Sequence, residues 1–280
     1  MNPTYLALRY FRRLLPAQLA RRMLDLGFVL KPGLETSAPE QAADRYLAAF
    51  GAEGLSISGR EVMVFGYGGG FGVGVQLLRA GAASVTLCDR FARPSRRRNE
   101  RWVRAAPEYF RQEGGAGPPD PRRLRLLHVD IRRYAESREP AFDLVLSSSV
   151  FEHLDDVEGV SAALAGLTRP DGVHLHYIDV RDHFFRLPFE MLTFSETAWR
   201  RYLNPSSNLN RLRPWQYQAI FRRWFSQVRL QVIQAEPDAF RRARRRIRPE
   251  FLSGDQGQDS AGVVLVTAAG PLATGLNRRS

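Results

Sequence analysis

The sequence predicts an α/β protein built on a doubly wound, mainly parallel sheet. Three observations carry this expectation. Apolar runs of strand length recur through residues 58–180, stretches of helical spacing separate them, and the first run ends in a cluster of glycines. Strands that alternate with helices need crossover connections, which favour parallel pairing with helices on both faces of the sheet.

The elements follow in order. Residues 62–65 form the first strand, and residues 73–80 have helical spacing closed by Gly81. Residues 84–88 are the second strand, 93–111 a helix, and 114–121 a loop marked by Gly and Pro. Residues 124–129 and 142–147 are the third and fourth strands. Residues 157–167 are a helix stopped by Pro170-Asp171-Gly172, and 173–178 are the fifth strand. Beyond Asp179 the pattern changes. Residues 181–213 are aromatic-rich and irregular, with a turn at 204–207, and read as a lid or acceptor insertion. Residues 214–227 read as a helix whose aromatics (Trp215, Tyr217, Phe221, Trp224, Phe225) pack inward. Residues 228–235 and 262–268 are two late strands. This divides the chain into a helical cap over 1–57, a main domain over 58–270 and a disordered tail over 271–280.

Composition narrows the function classes. Cys88 is the single cysteine, so no intrachain disulfide forms, which suits a reducing cytoplasm. No run of about 18 apolar residues is present to span a bilayer. The basic, leucine-rich segment 5–15 reads as a cap helix packed on the domain, with peripheral membrane contact as the other reading. The net charge of +12 raises nucleic acid as a partner, but Lys31 is the only lysine. Such an arginine skew fits a GC-rich coding sequence, and no RNA-binding module flanks the core. The runs 96–98 and 241–246 read as solvated faces, and nucleic acid is disfavoured. The five histidines and one cysteine show no metal-ligand spacing, so no metal is expected.

The chemistry concentrates at the strand ends. Gly66-Tyr67-Gly68-Gly69-Gly70-Phe71-Gly72 joins the first strand to a helix, where glycines allow a tight turn and close approach of backbone to a ligand. A dinucleotide fingerprint starting at Gly66 and Gly68 needs a third glycine where Phe71 stands, which weakens that reading without removing it. Asp89 ends the second strand, where a carboxylate meets ribose hydroxyls. Asp130 ends the third strand, followed by Ile131, an acid for an exocyclic amine beside an apolar contact for a ring. The fourth strand runs through Phe142-Asp143-Leu144-Val145-Leu146-Ser147-Ser148-Ser149-Val150-Phe151-Glu152-His153-Leu154.

Over residues 58–180 these motifs, in this order, resemble the class I S-adenosylmethionine-dependent methyltransferases, in particular the broad type 11-like group. The resemblance implies a Rossmann-like sheet of seven strands closed by an antiparallel hairpin. It implies that Gly66, Tyr67, Gly68 and Gly70 lie beside the methionine part of S-adenosylmethionine. Asp89 would hold the ribose, Asp130 and Ile131 the adenine, and Ser147 and Ser148 would line the cofactor near the transferred methyl. One departure matters: the family's usual acid two residues before the first glycine is Val64 here.

Ile178-Asp179-Val180-Arg181-Asp182-His183 and Asn210-Arg211-Leu212-Arg213 resemble a bacterial subgroup acting on glycans or other secondary-metabolic acceptors. The expected reaction is therefore methyl transfer to a small-molecule or glycan acceptor, at oxygen. His183, flanked by Asp179 and Asp182, is the first candidate general base and His153 the second, because imidazole titrates near neutral pH. Arg181 and Arg211 are candidates to hold an anionic acceptor. Two other classes stay open. An NAD(P)-dependent oxidoreductase would need a catalytic Tyr/Lys pair, and Lys31 lies upstream of the glycine loop. A non-catalytic nucleotide- or RNA-binding scaffold of the same fold would account for Val64.

Overall fold

The computed structural model describes residues 3–14, 34–111, 117–184, 186–205 and 208–272. The predicted doubly wound sheet is present, with seven strands in the order β3-β2-β1-β4-β5-β7-β6. These are β1 (Glu61–Phe65), β2 (Ser84–Cys88), β3 (Leu124–Leu127), β4 (Phe142–Ser148), β5 (Thr168–Asp179), β6 (Phe225–Ala235) and β7 (Ala261–Pro271). β1 to β5 pair in parallel, and β7 runs antiparallel to both β5 and β6. The last two strands are thus the closing hairpin that the resemblance implies.

Side chains of β1 alternate between two cores, which is why its run is apolar throughout. Val62 and Val64 face the side covered by α3 (Pro39–Ala52), α4 (Gly72–Arg79) and α5 (Arg96–Ala105). Met63 and Phe65 face the side covered by α6 (Ile131–Ala135), α7 (Val157–Gly166) and α9 (Pro214–Phe221). The strand order reverses between β1 and β4. In such sheets ligands bind in the crevice outside the carboxyl ends of the strands at that point.

A third core lies outside the sheet. Phe189, Leu192, Trp199 and Leu209, from 189–209, pack on Phe240, Ile247 and Phe251 from the segment between β6 and β7. That segment contains α10 (Pro237–Ala243), unforeseen because the arginine run 241–246 dominates it. The arginines are exposed, as expected, while Phe240, Ala243, Ile247 and Phe251 beneath them are buried at helical spacing.

Several bounds differ from expectation. The helix expected over 93–111 is α5 alone. Ser95 caps its start, and Ala106 leaves helical geometry because Pro107 follows it. The helix expected over 214–227 stops at Phe221, and Phe225 opens β6 opposite Pro271. Short aromatic runs do not distinguish helix from strand, and here Phe225 is the one buried residue of an otherwise exposed or half-buried edge strand. The stop at 170–172 lies inside β5, beside a register shift between Phe142 and Leu144. Pro271 belongs to β7, and the rest of the expected tail, 273–280, lies outside the described residues.

Before the sheet come α1 (Pro3–Leu14) and α2 (Leu34–Ser37). The buried side of α1 presents Tyr5 and Arg9, and both bind the Asp182 carboxylate. Leu8, Tyr10, Phe11 and Leu14 are exposed. Among the described residues no helix is long and apolar enough to cross a membrane.

Candidate active site

The glycine loop forms one wall of the crevice. Gly66, Gly68 and Gly69 have positive φ, the left-handed region that side chains other than glycine rarely adopt. A Cβ on Gly66 would stand 2.2 Å from the Val150 side chain, which brings the loop after β4 directly against the glycine loop. A Cβ on Gly69 would meet the Arg93 carbonyl at 2.3 Å. Gly70 has neither constraint. Asn99 on α5 braces the loop, donating to the Gly69 carbonyl (2.9 Å) and accepting from the Phe71 N–H (2.7 Å). Sequence reasoning missed Asn99 and the special need for Gly69; the unbroken Gly68-Gly69-Gly70 run was the only signal.

Asp89 follows β2 and stands beside this loop. Its carboxylate accepts the Gly68 N–H (3.2 Å) and those of Phe91 (2.8 Å) and Ala92 (2.7 Å). These take three of its roughly four acceptor positions, leaving one for a hydroxyl donor. Asp130 is the N-cap of α6, and Arg132 and Arg90 both pair with it. The hydrogen bond from Arg132 holds its carboxyl down to about 2, so it is an anion at neutral pH. Ile131 is buried against the core. The Tyr67 ring is buried, with its hydroxyl 3.4 Å from His128 Nε2.

The two β4 serines point apart. Ser148 accepts from Arg45 (2.7 Å), whose guanidinium lies 3.8 Å from the Tyr177 ring centroid. Nearby, burial raises Glu35 of α2 to about 7, and Glu35 accepts from the Tyr46 hydroxyl (2.7 Å). Ser147 turns the other way. Its hydroxyl is fully buried and bonds to His176 Nδ1 (2.8 Å), so it does not line the crevice as expected. At the end of β4, Ser149 is exposed with φ 54°, a strained geometry that marks the strand's edge.

The two candidate bases do meet. The His153 and His183 ring centroids are 5.0 Å apart, edge to face. His153 Nδ1 donates to the Asn208 carbonyl (2.8 Å), and Asn208 returns a bond to the His153 carbonyl (3.2 Å). Asn210 clamps the same turn through the Phe151 (2.7 Å) and Leu154 (3.1 Å) carbonyls. The flanking carboxylates expected to orient His183 are committed elsewhere: Asp182 to Arg9 and Tyr5, Asp179 to Arg181.

The arginines expected to hold an acceptor are also engaged internally. Arg211 is 2% exposed and donates to the Met191 (3.0 Å) and Phe194 (2.8 Å) carbonyls and to Glu196. A guanidinium spent on the backbone of residues 191–194 has little left for a substrate, so the acceptor contact expected of Arg211 is corrected to an internal one. Arg181 pairs with Asp179 (2.8 Å) and Glu236 (3.3 Å). Arg213, in the same motif, ties α9 to the Val180 (2.9 Å) and Asp259 (3.0 Å) carbonyls. The Asn210-Arg211-Leu212-Arg213 segment is thus the anchor of the insertion.

Comparison with known proteins gives the class. Residues 65–176 match the family model described as a methyltransferase domain. A Burkholderia thailandensis 1,6-didemethyltoxoflavin-N1-methyltransferase, solved with bound 1,6-didemethyltoxoflavin and S-adenosylhomocysteine, superposes with a TM-score of 0.50 at 16% identity. The match covers 96% of this chain and 90% of that one. A Galdieria sulphuraria protein provisionally assigned as a sarcosine dimethylglycine methyltransferase gives 0.53 at 15% identity, covering 88% and 96%. At such identities the likeness is one of fold. No curated protein matches the sequence. The family model and the strand order together identify a methyltransferase domain of the class I, S-adenosylmethionine-dependent fold over residues 65–176 of this chain.

The crevice residues fit that donor. Gly66 and Gly68 follow β1 beside the switch between β1 and β4, covered by Val150 and Thr36, and Asp89 keeps an open acceptor position beside them. Val64, where the family has an acid, is fully buried in the core and offers nothing to a ligand.

Proposed function

We propose that the protein transfers a methyl group from S-adenosylmethionine to an oxygen of a small-molecule or glycan acceptor in the cytoplasm. The observation that carries this reading is the meeting of His153 and His183, from the segments that follow β4 and β5, with His153 three residues beyond the Val150 that packs on Gly66. A bound sulfonium supplies an already electrophilic carbon, so the protein's task is chiefly alignment and exclusion of water. Asp89 binds a ribose hydroxyl, and the glycine-loop backbone packs against the amino-acid end. Arg132 and Arg90 fill all four acceptor positions of Asp130, so the adenine amine takes the position that the half-exposed Arg90 gives up, with the largely buried Ile131 beside it. Ser148, Arg45 and Tyr177 form the polar wall near the reacting carbon. Glu35 takes the part of the acid absent at Val64, since α2 lies over the loop: the Thr36 hydroxyl would meet a Cβ on Gly68 at 2.6 Å. His183 or His153 removes the acceptor's proton as its oxygen attacks. The cavity beside the loop, lined by Glu35, Thr36, Arg97 and Trp102 among others, holds only about 130 Å³.

The test is calorimetric titration with S-adenosylhomocysteine, beside NADH, on wild type and Asp89→Ala. Micromolar binding that Asp89→Ala weakens tenfold or more (about 1.4 kcal/mol) supports the reading and justifies a tritiated-methyl acceptor screen. Preference for NADH, or no binding by folded protein, overturns it.

A further inference from the structure

We propose that Glu152, His153 and His183 bind one divalent first-row transition-metal ion at the carboxyl edge of β4 and β5. One ligand atom from each of the three lies within 4.8 Å of the other two. Ligands at about 2.1 Å around a tetrahedral ion stand about 3.4 Å apart, so modest side-chain rotation closes the cluster on an ion. Two imidazoles and one carboxylate are a donor set suited to zinc, iron or manganese, and three protein ligands leave coordination positions open.

A second observation points the same way. Glu152 is 2% exposed, and neither carboxylate oxygen has a hydrogen-bond partner. The N–H groups of Glu152 and Asp179 come near without reaching bonding geometry. A buried carboxylate with both oxygens unsatisfied is costly, and the Asp179 carboxylate nearby adds repulsion. A cation between Glu152 and the two imidazoles removes that cost.

The surroundings hold the ligands as metal sites generally require. A carbonyl only accepts, so the bond to Asn208 puts the His153 proton on Nδ1, the tautomer in which Nε2 is the ligating atom. Asn210 fixes the 151–154 turn from the other side. His183 lies next to Asp182, which Arg9 and Tyr5 pin to α1 from inside the protein. The two histidines are 30 residues apart in sequence, which is why no spacing announced them.

Metal binding does not depend on which acceptor the enzyme uses, but it excludes the base role given above to the same two histidines: an imidazole that ligates through Nε2 has no lone pair left for a proton, so with the ion bound another group takes the acceptor's proton. The full-length protein, stripped with a chelator, is titrated with Zn²⁺ and separately with Mn²⁺, and bound metal is counted by mass spectrometry after dialysis. One ion per chain is expected, with affinity falling tenfold or more in His153→Ala and in His183→Ala and unchanged in His128→Ala. Titration of each metal-free variant with S-adenosylhomocysteine reports its folding independently of the metal. Visible bands of the Co²⁺-loaded wild type give a further readout, since nitrogen ligation alters them from those of the aqueous ion. Sub-stoichiometric binding of both metals, equal affinity in both histidine variants, or an aqueous-type Co²⁺ spectrum overturns the proposal.

Discussion

Replacing His176 with glutamine should remove about 2 kcal/mol of acid sensitivity from the fold. His176 and His174 lie on β5 in a buried chain of hydrogen bonds whose direction can be assigned. Thr168 donates to the Leu164 carbonyl (2.7 Å) and so accepts from His174 Nε2 (2.7 Å). His174 Nδ1 must then accept from His176 Nε2 (3.1 Å), and His176 Nδ1 from the Ser147 hydroxyl (2.8 Å). Every member is satisfied only while both rings are neutral. Burial accordingly pushes His176 down to about 3 and His174 well below its ordinary value. A folded-state pKa below the unfolded 6.5 means that the stabilisation is complete above 6.5 and is lost as pH falls toward 3. Between pH 7.5 and 5 the unfolded chain takes up a proton at this ring that the folded chain refuses, a loss of about 2 kcal/mol. Glutamine can accept from Ser147 and donate to His174, but it does not titrate. Urea unfolding of both proteins across that range should therefore show wild type losing about 2 kcal/mol more than His176→Gln. The variant's fixed packing cost cancels in that comparison. Parallel pH curves would mean that the ring is charged or solvated in the native state, and the assigned chain would be wrong.

Two further outcomes follow from local geometry. Gly69→Ala should cost more than about 1–2 kcal/mol, because a positive φ carries that penalty alone and the added Cβ meets the Arg93 carbonyl. Gly70→Ala, with ordinary φ and its nearest atom 4.0 Å away, should be near neutral; equal shifts in thermal unfolding would refute the loop geometry. Arg9→Met should destabilise the protein by about 3–5 kcal/mol by leaving the Asp182 carboxylate buried without its cation. The pair Arg9→Met with Asp182→Asn should recover part of that loss in urea unfolding, and strict additivity would show that the two groups do not interact.

Much of the scaffold was legible in the sequence because its signals are local. Strands buried on both faces must be continuously apolar, and a strand-to-helix turn against a ligand requires glycine. Residues 62–65, 84–88 and the glycine run therefore announced β1, β2 and the loop that edges the crevice. Asp89 was legible for the same reason, since its place is fixed by the strand that precedes it. What chain-distant partners decide was not legible. An arginine in an irregular segment reads identically whether it meets solvent, substrate or a backbone carbonyl, and only burial turned Arg211 and Arg213 into anchors. Phe225 went to a strand rather than a helix because the β7 edge was there to pair with it. Ser147 and Ser148, adjacent in sequence, parted because a strand sends neighbours to opposite faces, one to the crevice wall and one to the histidine chain. Glu152, His153 and His183 became one cluster because β4 and β5 lie side by side and end at the same edge. The sequence by itself determined the periodic framework, through chemistry that each residue carries with its neighbours. Tertiary structure alone decided which polar groups lost water and what each found in its place.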